Sequence, residues 1–410
     1  MWIAGRAGSC IPQCERWAIL RGMLGMRAGA LVVAMALGLA AHGAAQTGPV
    51  WQMQESGTTA GLRGIDSVDG TNGMVAWASG TGGTVLRTID GGAHWQRCAT
   101  PDADKDGATL DFRGVQAWDA QTAIVMSSGP GDKSRLYKTV DGCRTWKLVF
   151  TNPDKDGFWD AIQFFDRHPS SPYSHQETNG VLVGDPVRGI FAIFVTRNGG
   201  ETWTRWNEKD PKHFPKANAG ESLFAASNQA ATSPGSNGPF AFVTGGADAR
   251  IYLGQSHSPF DARWWESLSS KDLSFSSGTS AGAFAIAARR FPQSPFADFM
   301  VVGGDYSRPN AQGSVAFVPG PPRFVLGSRA IAQSVRPPHG YRSAVQWSES
   351  LKAWITVGTN GSDISRDDGK TWQPLDDGNW NALSLPFVVG PNGRIARINA
   401  AAIPAARTRR

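Results

Sequence analysis

From residue 50 onward the chain shows almost no helical periodicity; its apolar residues come in short runs punctuated by Gly-rich stretches. A strand opening a unit reads at LRGIDSV (62–68), FRGVQAW (112–118), WDAIQFF (159–165), SLFAAS (222–227), AGAFAIA (281–287), YRSAVQW (341–347) and WNALSL (380–385). A second apolar run ending in glycine follows each: MVAWASGTGG, AIVMSSGPGD, GVLVGDPVRG, FAFVTGGADA, FMVVGGDY, WITVGTNG and FVVGPNG. Third strands such as TVLRT, RLYKT, FAIFVT and RIARIN come next, so the pattern predicts seven β units.

An octapeptide recurs between third and fourth strands. TIDGGAHW (88–95) returns as TVDGCRTW (139–146), TRNGGETW (196–203) and SRDDGKTW (365–372). The starts lie 51, 57 and 169 residues apart, the last being close to three periods. A period near 50 built of strands means a propeller or another array whose units must stack to bury their faces. The expected fold is all-β, a single seven-bladed β-propeller over residues 46–402. The last unit lacks a fourth strand, and VWQMQES (50–56) supplies one, with Trp51 in the octapeptide's Trp position. Pairing it with the last blade closes the ring and leaves no open edge. Units four and five lose the octapeptide, at IYLGQSHSPFDARWW (251–265) and VAFVPGPPRFVL (315–326), so their hairpins are expected to be built differently.

Within the octapeptide, glycine tolerates positive φ and Asp or Asn bonds its side chain to nearby backbone N–H groups. Asp90, Asp141, Asn198 and Asp367 therefore read as turn formers, and Trp95, Trp146, Trp203 and Trp372 as anchors under the hairpins. These octapeptides resemble the Asp-box, or bacterial neuraminidase repeat, of sialidases, some xyloglucanases, sortilin-type receptors and photosystem II stability/assembly-factor-like propellers. The single seven-bladed plan, and units of the form LRGID…VLRTIDGGAHW, are most similar to the assembly-factor-like group. That resemblance implies a protein that binds partner polypeptides and has no established catalysis.

The N-terminus reads differently. MRAGALVVAMALGLAAHGAAQ (26–46) has Arg27, an apolar run and small residues ending at Ala45, the order of a secretory signal peptide. Residues 1–45 are expected to be removed, with 1–22 an over-extended gene start ahead of Met23 or Met26. No Cys follows the apolar run, so neither a lipoprotein anchor nor a stable membrane anchor is expected, and the mature protein is expected to be an exported, periplasmic or extracellular monomer. A basic tail, 403–410, follows the propeller. Arg6, Arg16, Arg21 and Arg27 against Glu15 carry three of the formal +6, and the remaining charge is too small and scattered to predict nucleic-acid binding. Cys98 and Cys143 are the cysteines left in the mature part. Export permits a disulfide between them. The propeller plan puts Cys98 on an outer strand and Cys143 in the next blade's hairpin turn, a placement that weighs against the bond.

In a propeller the first-strand starts and the turns between second and third strands meet around one mouth of the channel. Arg63, Arg113, Asp160, Glu221 and Arg342 fall at or beside first-strand starts; Asp185, Asp248 and Asp305 belong to the Gly-rich turns. They either pair with one another in a wet channel or form a partner-binding face, with Arg63, Arg113 and Arg342 taking carboxylates through planar forks. The octapeptides lie on the opposite face.

Two acidic loops, PDADKDGATLD (101–111) and NPDKDGFWD (152–160), look alike. Asp102, Asp104 and Asp106 open the first like a calcium loop, but its twelfth position is Phe112 rather than Glu and no helices flank it. The second keeps only Asp154 and Asp156, and solvated turns explain both. No metal and no cofactor is expected. A sialidase would need an arginine triad and a Tyr–Glu pair, and usually an Arg-Ile-Pro segment that this chain lacks. A glycoside hydrolase using Asp160 and Asp185 as a carboxylate pair is the alternative to a non-catalytic binder.

Overall fold

The structure, a computed structural model, describes residues 48–165, 167, 178–206, 214–235, 239–254, 269–291, 297–320 and 331–404. All lie within the compact unit Thr47–Arg410. The signal-peptide reading, the end of the basic tail and the hairpins proposed around 255–265 and 321–326 lie outside the described residues. Among the described residues, no helix is long and apolar enough to cross a membrane.

Seven antiparallel sheets form the blades of a propeller. Blade 1 runs Leu62–Ser67, Ala76–Gly80, Val85–Thr88 and Gln96–Arg97; blade 2 runs Phe112–Ala117, Ala123–Ser127, Arg135–Thr139 and Lys147–Thr151. Blade 3 follows with Trp159–Phe164, Gly180–Val187, Ile190–Thr196 and Thr204–Arg205. Blade 5 opens on the long pair Gly278–Arg290 and Ala297–Asp305, and blade 6 covers Ala344–Ser348 to Gln373–Asp376. Blade 7 holds Ala382–Ser384, Phe387–Val389 and Ile395–Ile398, and its outer strand is Trp51–Gln54, paired Trp51 to Ile398 and Gln54 to Ile395. The chain's first strand closes the ring.

Blade 4 departs from the sequence pattern. Its inner strand is Ala231–Thr232, paired with Ala241–Val243, rather than SLFAAS. Only Ser222 of that stretch is in a strand, where Glu221–Ser222 pairs with Gly245–Gly246. The chain then turns inward, with the Ala226 N–H donating to the Phe224 carbonyl and Asn228 at φ 66°. Phe224 can lie there because Gly245 leaves space; a Cβ on it would meet the Phe224 ring at 2.3 Å. An apolar run thus serves the channel instead of a sheet face.

The core is not central but lies between blades. Each of the seven buried clusters joins two adjacent sheets, as where Leu62, Ala78 and Trp95 of blade 1 meet Phe387, Val389 and Ile395 of blade 7. The octapeptide tryptophans serve these seams. Trp95 packs edge-on against Phe387 of blade 7 at 5.6 Å, and Trp146 against Trp77 of blade 1 at 6.5 Å. Trp203 stacks on Phe150 of blade 2 at 6.3 Å, and Trp372 joins the blade 5–6 cluster. Trp51 plays the same part for blade 7, its Nε1 donating to Ser362 Oγ of blade 6 at 2.9 Å. Every such hairpin therefore leans on the preceding blade.

That lean corrects the expectation for the cysteines. Cys98 and Cys143 form a disulfide with Cα atoms 5.3 Å apart. The blade 2 hairpin crosses onto the outer strand of blade 1, where Trp146 Nε1 donates to the Ala99 carbonyl at 2.8 Å. The separation judged from strand order ignored this tilt.

The turn chemistry is the same in all four octapeptides. Asp90, Asn198 and Asp367 accept the N–H four residues on, at 2.9–3.0 Å, and Asp141 accepts that of Thr145 at 3.1 Å. The hydroxyl at the first position accepts the N–H of the fifth residue, which has φ of 86°, 64°, 84° and 77° at Gly92, Cys143, Gly200 and Gly369. The His94 N–H, the His94 ring and the Thr88 hydroxyl, all bonded to the Asp90 carboxylate, hold it down at about 2.

Candidate functional site at the channel mouth

The first strands are joined around the axis by side chains that bond neighbouring backbones. Asp66 accepts the Ala117 N–H at 2.6 Å, Gln116 that of Phe164 at 2.6 Å, Asn228 that of Ile162 at 2.8 Å and Gln346 that of Leu385 at 2.7 Å. Asn381 donates to the Leu62 carbonyl at 2.8 Å, linking blade 7 to blade 1. The loop opening blade 4 spans the axis, with Ser227 donating to the Ser343 carbonyl and Gln229 to that of Leu383.

Above this polar crossing lies a cavity of about 430 Å³ lined by Arg63, Arg113, Phe224, Phe284, Tyr306 and Tyr341, with Ser343, Thr359 and Asn381 among the others. One local device sets three of these residues. Arg63, Arg113 and Asp160 each occupy the extra position of a β-bulge at the start of a first strand, and Phe284 that of a bulge inside the long strand Gly278–Arg290. A bulge turns its residue out of the alternating pattern, and Arg63, Arg113 and Phe284 so placed line the cavity, whereas Asp160 is buried. Ser343 and Asn381 stand one residue before the inner strands of blades 6 and 7, where their N–H groups donate to Val357 and Val389. In these six blades the following residue is Gly or Ala: Gly64, Gly114, Ala161, Ala285, Ala344 and Ala382. A Cβ on Gly64 would meet Ser79 Oγ at 2.5 Å, and one on Gly114 would meet Asn228 Oδ1 at 2.8 Å. A residue followed by Gly or Ala in a first-strand run was thus a readable signal for Phe284, Ser343 and Asn381, which the charge-based search passed over.

The two arginines share one carboxylate. Arg113 Nε donates to Asp111 Oδ2 at 2.8 Å, and Arg63 Nε lies 3.4 Å from the same oxygen. The trio keeps one net positive charge. Burial lowers the Arg63 pKa, Asp111 opposes that, and the like charge of Arg113 adds to it. Arg63 Nε, Asp111 Oδ1 and Thr359 Oγ1 are buried without a hydrogen-bond partner in the protein. Opposite them, Phe224 stacks on Phe284 with centroids 4.1 Å apart, Tyr341 meets Phe284 edge-on at 4.7 Å, and Tyr306 is 52% exposed.

The remaining charged residues named from the sequence are placed elsewhere or already bonded. Arg342 is fully buried, paired with Asp363 and bonded to Asn360 and the Tyr341 carbonyl. Glu221 is held by Arg250, by Thr244 Oγ1 at 2.6 Å and by the Asn218 N–H at 2.8 Å. Asp305 accepts from Ser280, Ser307 and Arg308, each at 2.7 Å, which holds its carboxyl below the usual range. Asp248 accepts from Asn218 Nδ2 at 2.9 Å. Asp160 is 1% exposed with Oδ2 unpartnered; burial and the nearby Asp185 raise its pKa well above the carboxylate range. Burial raises Asp185 to about 6, although it accepts the Leu223 N–H at 2.9 Å. Neither Asp160 nor Asp185 is among the residues lining the mouth cavity.

The acidic loops are tied down by protein donors. Asp106 pairs with Arg135 and Lys133, Asp102 accepts from the Tyr137 hydroxyl at 2.9 Å, and Asp154 pairs with Arg205. Among the described residues, no three His, Cys, Asp or Glu side chains converge as a metal site would require.

No family model matches the chain. Photosystem II assembly lipoprotein Ycf48 of Synechococcus sp. (strain CC9902) is 22% identical over 156 residues, which are 37% of this chain and 39% of that protein. YCF48 from Cyanidioschyzon merolae superposes with a TM-score of 0.55 at 18% identity, over 85% of this chain and 99% of that one. A structure of YCF48 bound to D1 peptide gives 0.55 at 14% identity, over 86% of this chain and 95% of that one. The chain is a seven-bladed β-propeller, and in sequence and in fold it is similar to Ycf48.

Proposed function

We propose that the protein is an exported, non-catalytic propeller that binds a partner polypeptide at the channel mouth. The observation that carries this reading is the cavity itself: two arginines sharing one carboxylate, facing an aromatic wall, over a polar crossing. Its net positive charge suits an acidic side chain or chain terminus, and its aromatic side suits an apolar neighbour. The likeness to a structure of YCF48 bound to D1 peptide supports a peptide as the partner. A buried disulfide supports an oxidising compartment, periplasmic or lumenal, in line with the apolar N-terminal segment.

The test is peptide binding. A panel of acidic peptides, including a D1 peptide, should bind in a salt-sensitive way. Arg63→Glu and Arg113→Glu should abolish binding while leaving thermal unfolding in place. Equal binding by both variants would reject the mouth as the site. Release of reducing sugar from a glycan panel, lost in Asp160→Asn or Asp185→Asn, would replace the binder with a glycoside hydrolase.

A further inference from the structure

A second cavity, of about 610 Å³, opens over blade 3 on the mouth side of the ring. It sits between the turn joining strands Gly180–Val187 and Ile190–Thr196 and the loop that leads into Trp159–Phe164. Its floor is Phe191 and Ile193 of the third strand, both buried in the core shared with blade 4. Trp206 and Phe214 form its outer wall, meeting edge to face at 5.8 Å, and the Trp206 N–H donates to the Ile193 carbonyl at 2.9 Å. Charge is kept to the rim. There Lys155, Arg188 and Arg205 stand against Asp154 and Asp156, which leaves one net positive charge, and Arg205 is already paired with Asp154. An apolar interior under such a rim suits an uncharged side chain carried by a chain that also holds acidic residues.

The two cavities are joined by a continuous row of residues. Arg113, which lines the mouth, lies over the Phe158 ring at 5.9 Å. The Phe158 carbonyl accepts the Asp185 N–H at 2.9 Å, and Pro186, Val187 and Arg188 then run along the edge of the second cavity. Phe158, Asp185, Pro186 and Val187 are each half-buried, so a chain leaving the mouth along this path meets accessible surface all the way.

We infer that the outer cavity is a second anchor for the same polypeptide. With an acidic group held at Arg63 and Arg113, the chain runs outward over Phe158 and seats an aromatic side chain against Phe191, Trp206 and Phe214. This rests on the mouth being the binding site, and it gives the partner a pattern: an acidic residue and an aromatic one at a set spacing. Sheet geometry supplies the spacing. From Phe158, at the entry to the first strand, to the space between third and fourth strands is two to three strand separations, about 10–14 Å. The step from Arg113 to Phe158 adds 5.9 Å. An extended chain covers that path in about five to six residues. Two contacts on one chain reinforce each other when the linker matches the span and lose that benefit when it does not.

The test uses the whole protein and a series of Gly/Ser peptides carrying a Glu pair and one Phe. The Phe is placed from about two to about ten residues from the pair, on either side, each peptide beside its Phe→Ala control. With wild type, Phe should tighten binding about tenfold over the control at a spacing of about five to six residues, and little at the extremes. Ile190→Trp, which fills the cavity, and Phe214→Ala, which removes its outer wall, should each bind Phe and control peptides alike. No gain at any spacing, a gain that ignores spacing, or one that survives in both variants overturns the second anchor and leaves binding at the mouth intact. Failure of the mouth as the site has a different sign: Arg63→Glu then binds the control peptides as tightly as wild type does.

Discussion

The side-chain amide of Gln229, in the loop that opens blade 4, donates to the Leu383 carbonyl of blade 7 at 2.9 Å and accepts the Val345 N–H of blade 6 at 2.8 Å. One side chain thus ties three blades across the axis and helps form the polar crossing under the mouth. Gln229→Leu keeps much of the volume but strands a backbone donor and an acceptor. It should cost about 2–4 kcal/mol, roughly one unsatisfied-group penalty for each. Urea unfolding of the variant beside wild type measures it.

The Cys98–Cys143 bond closes a loop with a sequence separation of 45 between two blades. Chain-entropy reasoning for a loop of that length puts its contribution at about 4 kcal/mol. The double variant Cys98→Ser/Cys143→Ser should unfold at lower denaturant, and added reductant should shift wild type toward it while leaving the variant unmoved.

Much of this architecture was legible because a repeat states the same physical requirement several times. Four octapeptides with Gly or Cys at the positive-φ position located the hairpins, and the missing fourth strand of the last unit pointed to Trp51. Reading each unit in isolation hid what happens between units. SLFAAS has a strand's composition, yet Gly245 and the turn at Asn228 send it across the channel. The tilt that brings Cys143 onto Cys98 belongs to two blades at once. Charge alone selected Arg342 and Glu221 as readily as Arg63 and Arg113, because pairing partners such as Asp363 and Arg250 are remote in the chain. What separates these residues is the bulge: Arg63 and Arg113 occupy that extra position, whereas Arg342 precedes blade 6's inner strand by two residues.

Arg342 should therefore matter for stability and not for binding. With both side chains of its pair to Asp363 fully buried, Arg342→Met leaves a carboxylate in the interior without its principal partner. Breaking one side of such a pair costs about 3–5 kcal/mol, and replacing both sides with apolar groups recovers part of it. Arg342→Met/Asp363→Leu should thus be more stable than Arg342→Met alone, with peptide affinity unchanged in whichever variant stays folded.

The acid pair predicts a pH dependence of global stability opposite to that of an ordinary salt-bridged carboxylate. Asp185 is raised from 3.8 to about 6 in the fold, so its protonation favours the folded state. The stabilisation is fully present below the unfolded value and is lost as pH rises through about 6, by up to about 3 kcal/mol for a shift of this size. Asp185→Asn cannot ionise, so relative to wild type it should be the more stable protein near pH 7.5 and lose that advantage near pH 4. Asp160, pushed well above the carboxylate range by burial, stays neutral further up the scale, so Asp160→Asn should gain on wild type only at higher pH. Midpoints of chemical unfolding across pH for the three proteins decide the matter. Parallel wild-type and Asp185→Asn profiles would mean that the Asp185 carboxyl titrates as if in water.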